Sequence, residues 1–465
     1  MPPGPVYNAP LQPGESWLRF RLRRHLTELV RLAGPVVVSR LGIMTLALVD
    51  TLMVAQYSSE ELAYQSIATA PLGAAIAGCV GLMLGTLVVT SHEFGREDHA
   101  MCGAVLRRSL PFAFWVGATA TVVSLFGIPF LRLTGQSEAI AVGGGQVIAV
   151  LGFGMAPLMV YIVASFFLEG IRRPLPVMLV MLAGNLLNVL ANWVFVHGHW
   201  ELPAGGAVGS AWATNLVRLL MALALIAYIW WLPRGEAFAV RRPWRGGWKA
   251  WAAQRRIGYA GGISIGMEAV AFATLGIFAG WLGIVALGAH AIAFNVLALV
   301  FMIALGLASA TAVRVGIAYG RGDQPDVVLA GWTGLGLNSV IMVGLGVVLA
   351  SFAPLIASAY SDDQALLGLA STLIAFTAFI LIADGGQVVM AHALRGREDS
   401  WVPTWCHAFS YFGVMVPLAY LLAIELGRGV MGLFEAVLIA SIVSVVLLSL
   451  RFWWLSLRDR RYQPA

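Results

Sequence analysis

Long apolar stretches separated by short polar connections dominate the chain from residue 33 onward. An α-helix rises about 1.5 Å per residue, so about 20 apolar residues cross the hydrocarbon core of a bilayer. Stretches of that length lie near residues 33–57, 67–93, 110–131, 143–167, 175–196, 207–232, 257–281, 287–318, 328–353, 366–392, 402–424 and 430–455. The pattern predicts an all-α integral membrane protein of twelve transmembrane helices. Glycines and prolines recur inside these stretches, at residues 143–145, Pro157, 261–262 and 385–386. Membrane helices tolerate both, and such points are expected to kink or hinge.

Composition narrows the class. Hydrophobic residues make up 59% of the chain and charged residues 11%, and the mean hydropathy is +0.83. A soluble domain carries about 25% charged residues, so the bilayer is the expected partner. Cys79, Cys102 and Cys406 are too far apart for a CxxC spacing, which points to neither a disulfide framework nor a zinc site. The first fifteen residues are proline-rich without an apolar core and read as a disordered tail rather than a cleavable signal.

Arginine sets the orientation. The odd-numbered connections carry only Arg132 and Arg428, whereas the even ones and the ends hold Arg23, Arg24, Arg96, Arg107, Arg108, Arg172, Arg173, Arg241, Arg242, Arg321, Arg395, Arg397, Arg460 and Arg461. Positive residues stay inside, so both termini are expected in the cytoplasm and the protein in the cell inner membrane. The net charge of +6 then reflects topology, and no nucleic-acid partner is expected. Residues 16–32 and 241–256 read as basic amphipathic segments anchored on the inner leaflet.

An internal repeat divides the chain. "LAYQSIA" at 62–68 resembles "LGAHAIA" at 287–293, and "FGRED" at 94–98 resembles "YGRGD" at 319–323. Gly170 aligns with Gly396 in nearly the same register. These matches predict two six-helix lobes related by a pseudo-two-fold axis, as in many secondary transporters. The expected domains are a tail and amphipathic helix at 1–32, an amino-terminal lobe at 33–232 and a basic cytoplasmic linker at 233–256. A carboxy-terminal lobe at 257–455 and a cytoplasmic tail at 456–465 complete the chain.

Hydrophobicity does not explain Asp50, Glu268 and Asp384, which sit inside spans one, seven and ten. A charge at the centre of a membrane helix costs roughly 2.5–3.5 kcal/mol on insertion scales, and such acids commonly mark ion or proton pathways. The bland alternative is that each pairs with a buried arginine, such as Arg40 or Arg218, or caps an interrupted helix at the glycine pair beside Asp384. In span five, Asn185, Asn188 and Asn192 share one helical face; asparagines there also serve as helix glue. Thr214 in span six is a further candidate. An acid, amide oxygens and a hydroxyl suit a small hard cation or a proton. "HGHWE" at 197–201 and His290, His392 and His407 read as satisfied polar residues rather than metal ligands. Without HExxH or a P-loop, an enzyme or an ATP-driven pump is not expected.

The stretches "VDTLMVA", "LLNVLANWVFVHG", "GAVGSAWAT", "GAHAIAFNVLALVFMIALGLASATAVRVG" and "LIADGGQVVMAHALRGRED" resemble the multidrug and toxic compound extrusion (MATE) family. The resemblance runs from about residue 30 to 450, and its most specific parts are the span-eight stretch and the Asp-Thr-x-Met pattern at 50–53. It implies two lobes arranged in a V and alternating access. It also implies export of cationic, amphipathic compounds in antiport with Na⁺ or H⁺, by a monomer without a cofactor. By that resemblance Asp50, Asn188, Asn192 and Thr214 form an amino-lobe cation or proton site. Glu268 and Asp384 match the carboxy-lobe acids of the bacterial Na⁺-coupled branch. Ala55 replaces the glycine that often closes the first motif, and Asn192 stands where other branches have a second acid. The alternative function is a lipid-linked precursor flippase, for which an arginine-lined cavity is the expected mark.

Overall fold

A computed structural model describes residues 17–200, 203–232, 235–243, 247–360 and 363–461. The tail before residue 17, Glu201, part of the linker and the last four residues, all included in the expectations above, lie outside this range. The described residues form helices without strands. The first half contains α1 (Trp17–Tyr57), α2 (Ser59–Gly95), α3 (His99–Ser124), α4 (Gly127–Leu133), α5 (Glu138–Phe153), α6 (Met155–Gly170), α7 (Leu175–His197) and α8 (Gly206–Trp230). A short α9 (Gly235–Phe238) lies in the linker. The second half contains α10 (Ala252–Trp281), α11 (Ile284–Gly320), α12 (Gln324–Ser358), α13 (Gln364–Gly396), α14 (Trp401–Ala408), α15 (Val416–Tyr420) and α16 (Val430–Arg461).

Among the described residues, ten helical segments are each long and apolar enough to cross a membrane, and two bent pairs bring the number to twelve if each pair is one span. The bends are 56° between α3 and α4 and 44° between α5 and α6. The second bend precedes Pro157, whose missing N–H cannot continue the hydrogen-bond ladder of α5. The other expected hinges are not breaks: α10 and α13 run unbroken through 261–262 and 385–386. The span after α13 instead loosens into π-helical turns at Phe409–Met415 and Leu421–Glu425, on either side of α15.

The repeat has a structural cause. Asp98 and Asp323 each cap the following helix, accepting from Met101 N at 2.9 Å and Asp326 N at 3.2 Å. Such a cap satisfies an N–H that the helix itself leaves unpaired. The turn before each cap passes through a left-handed residue, Glu97 (φ 63°) in one half and Gly322 (φ 74°) in the other. Gly95 and Gly320 sit one residue before each turn's arginine and pack reciprocally across the two-fold. A Cβ on Gly95 would lie 2.2 Å from Ile317 O, and one on Gly320 would lie 2.1 Å from His92 O.

The two halves meet along their arginine-rich portions. α2 crosses α10 where Gly81 faces Gly261, each lacking room for a Cβ against the other's backbone. Further along the seam, Ser91 packs on Gly316 of α11, and Val37 of α1 packs on Gly306. His92 bonds Gly396 O at 2.7 Å, and Gln254 of α10 reaches Ser109 of α3. The hydrogen bonds and ion pairs named here between the halves all lie on this side. The expected surface helix at 17–32 is instead the first part of α1, a single helix of 41 residues. One face of it, with Arg21, Arg24 and Glu28, pairs with charges of the second half, whereas Arg19, Arg23 and Arg31 stay exposed.

Candidate functional site

The first-half site is built by α1, α7 and α8. Asp50 is 9% exposed, and both of its carboxylate oxygens are engaged. Asn188 Nδ2 and Asn192 Nδ2 each donate to Oδ1 at 2.8 Å. Thr214 Oγ1 donates to Oδ2 at 2.7 Å. The periodicity of α7 brings Asn188 and Asn192 to one face, four residues apart. Because each amide turns its NH₂ toward Asp50, its own oxygen faces elsewhere. Oδ1 of Asn188 and of Asn192 are buried and accept no hydrogen bond. Such orphaned acceptors are costly in an interior.

Asn185, on the same stripe, is separate. It donates to Gly42 O at 3.1 Å and Met181 O at 3.0 Å, tying α7 to α1 as glue. The two arginines suggested as partners of the acids also differ. Arg218 lies one turn beyond Thr214 and interacts electrostatically with Asp50. Arg40 instead bonds Glu169 at 3.2 Å, a buried carboxylate that hydropathy alone did not bring out because it ends its span.

The second-half site is a network. Asp384 Oδ1 accepts from Gln387 at 3.0 Å and from Ser441 at 3.3 Å. Gln387 Nε2 also donates to the Tyr411 hydroxyl at 2.8 Å, and Ser444 donates to Gln387 Oε1 at 2.8 Å. Tyr411 lies close enough to Glu268 to interact with it electrostatically. Asp384, Gln387 and Tyr411 are thus linked by hydrogen bonds, whereas Glu268 and Asp384 interact electrostatically. Arg395, placed in a connection by its sequence context, is buried at 1% exposure in the last turn of α13. It donates to Ser264 at 2.9 Å, and Ser264 bonds His407 Nδ1 at 2.6 Å. Its electrostatic partner is Glu268. Sequence reasoning missed Gln387, Tyr411 and Arg395. The i, i+3 spacing of Asp384 and Gln387 was the available signal for the first. Tyr411 lies in a π-helical turn that shifts its register, and π-turns recur at functional sites.

The remaining candidates are quieter. His392 bonds Val388 O one turn back at 2.9 Å, and His290 stacks on Phe294 with ring centroids 5.9 Å apart. His199 packs edge-on against Trp193 at 3.9 Å. Among the described residues no His, Cys, Asp and Glu cluster could hold a metal ion of the kind these side chains usually ligate. The Asp50 set and the Glu268/Asp384 set occupy separate halves and share no residue.

The family comparison converges on the same architecture. The MatE family model matches twice, over residues 35–194 and 262–421, once in each half. A probable multidrug resistance protein NorM from Caulobacter vibrioides is 39% identical, with 94% of this chain and 93% of that protein covered. One of the same name from Mesorhizobium japonicum is 29% identical over 95% of this chain and 96% of its own length. The crystal structure of the eukaryotic MATE transporter AtDTX14 superposes with a TM-score of 0.85, covering 95% of this chain and 99% of that one at 17% identity. The chain belongs to the MATE family of multi-pass membrane transporters.

Proposed function

We propose that this transporter exports cationic, amphipathic organic compounds in antiport with Na⁺ or H⁺ by alternating access. In this reading it lies in the cell inner membrane with both termini cytoplasmic, and it works as a monomer without a cofactor. The multidrug resistance relatives support the substrate class. The observation that carries the coupling site is Asp50 held by Asn188, Asn192 and Thr214, with two amide oxygens left over. Na⁺ is the favoured ion in this reading, because carboxylate, hydroxyl and amide groups suit a hard cation.

In this reading the contacts between the halves at their arginine-rich ends close that side, and the sites are reached from the opposite, outer side. Filling the Asp50 pocket removes the charge that attracts an organic cation. An ion that binds one opening of the lobes better than the other shifts the population by that difference. Glu268 and Asp384 supply a second acidic region in the facing half. The flippase alternative gains no support, since Arg40 is committed to Glu169 and Arg395 to Ser264.

Purified protein in liposomes tests the reading through dye efflux driven by an imposed Na⁺ gradient or by a pH gradient alone. Efflux under the Na⁺ gradient is the expected result. Efflux under the pH gradient in Na⁺-free buffer, with no response to added Na⁺, assigns the proton instead. No efflux of any organic cation under either gradient contradicts the antiport reading.

A further inference from the structure

The first turns of α1 carry four charged or polar groups at i, i+3, i+4 and i+7: Arg21, Arg24, His25 and Glu28. That spacing puts them on one helical face, and the face docks on α11 and α12 of the other half. Arg21 donates to Asp326 at 2.9 Å and to Asp323 at 3.3 Å. Arg24 bonds the other oxygen of Asp326, and His25 Nε2 lies 3.2 Å from Asp326 Oδ1. Arg314, on α11, pairs with Glu28 and lies 2.9 Å from His25 Nδ1. Asp326 is fully buried and Arg314 is 3% exposed. The opposite face of the same turns is apolar and exposed, with Leu22, Leu26 and Val30.

Each acid in this cluster also keeps a partner from its own half. Asp326 accepts from Arg321 at 2.9 Å, one turn away, and Glu28 lies 3.5 Å from Arg172 of the first half. A buried charge stripped of every partner is strongly destabilising. Here, separating the halves removes Arg21, Arg24 and His25 from Asp326 but leaves Arg321. It removes Arg314 from Glu28 but leaves Arg172. A permanent brace has no need of that division, whereas a contact that opens and closes repeatedly does.

We propose that this face of α1 is a reversible latch that closes the arginine-rich end of the transporter, with Asp326 and Glu28 as its gating residues. The inference rests on the alternating-access reading above. Opening the sites to the arginine-rich side requires the latch to release, so its strength sets how often that side opens. Weakening it shifts the resting population toward that opening without touching the Asp50 pocket.

Accessibility of the seam tests this. In a background with Cys79, Cys102 and Cys406 replaced, Ser91→Cys reports on a position that is fully buried between α2 and α11. An impermeant maleimide applied from the arginine-rich side should label it slowly with the latch intact. Asp326→Asn should raise the labelling rate about tenfold, the change expected when one state gains roughly 1.4 kcal/mol over the other. Arg21→Gln, which removes the cross-half contacts to Asp326 and Asp323 from a part-buried position, should raise it several-fold and guards against a folding failure of Asp326→Asn. Unchanged labelling in Arg21→Gln, with the protein folded, overturns the latch. This readout needs no drug transport: faster labelling in a protein that moves no organic cation would support the latch and count against the proposed function alone.

Discussion

The acidic sites of the two halves are built on different plans. In the first half one carboxylate, Asp50, takes three short hydrogen bonds from two neighbouring helices and leaves two amide oxygens unbonded. In the second half two carboxylates lie on different helices, Asp384 bonded to Gln387 and through it to Tyr411, and Glu268 with Arg395 as a nearby positive charge. The first is a compact cluster centred on a single carboxylate. The second is a chain of donors and acceptors in which changing one member alters how α10, α13 and the π-helical segment hold one another. A fold built from a repeat has thus kept its connections alike while its sites diverged. The capped turns at Asp98 and Asp323 are nearly superposable in kind; the acids are not.

The largest expected effect follows from that contrast. Asp50→Asn should reduce organic-cation efflux to background while membrane abundance stays near wild type, measured by dye efflux and immunoblot. Full efflux in this variant would make Asp50 structural and remove the distinction between the halves. Glu268→Gln and Asp384→Asn should slow efflux strongly but leave an ion response through the first half. Equal loss of the ion response in all three variants would merge the two sites into one.

Smaller changes sharpen the comparison. A hydrogen bond to a charged group contributes about 1.5–3 kcal/mol, so Thr214→Val should weaken cation affinity by about 10–100-fold. Tyr411→Phe removes the hydroxyl that accepts from Gln387 and should lower the turnover rate more than the apparent affinity. A larger effect on affinity would show that the second-half network binds the ion directly.

The smallest effect lies outside both sites. The His92 side chain, bonded to Glu398 in the connection after α13, holds that carboxyl below its ordinary value of 4.5. A carboxyl lowered in the folded state stabilises fully above its ordinary value, and the contribution fades as pH falls through the folded value. Glu398→Gln should therefore lower the melting temperature at pH 7 by less than about 2 °C, given its partial exposure. The difference from wild type should shrink well below pH 4.5. A larger difference in acid would reverse the sign and exclude the His92 contact as its source.

Much of this was legible in the sequence because the bilayer imposes simple rules. Span length, arginine asymmetry and the repeated "FGRED" and "YGRGD" turns anticipated twelve helices in two halves. Asp50, Asn188, Asn192 and Thr214 were found as candidates because a polar side chain in an apolar run needs a reason. What escaped was of two kinds. Glu169, Arg395 and Arg314 lie near span ends, where charge looks solvated until tertiary packing buries it. The docking face of α1 looked like a leaflet anchor because amphipathicity reveals a polar face but not whether lipid headgroups or Asp326 will meet it. The π-turn that presents Tyr411 has no sequence signature comparable to a proline or glycine break.

The central claim is that Asp50 and its amide partners hold the ion that competes with the organic cation. Its most direct test is equilibrium binding of a fluorescent organic cation to purified protein in nanodiscs, titrated with Na⁺ at constant pH and ionic strength. Na⁺ should displace the dye from wild type and from Glu268→Gln, and should fail to do so in Asp50→Asn. Displacement from Asp50→Asn at the wild-type Na⁺ concentration would contradict the account.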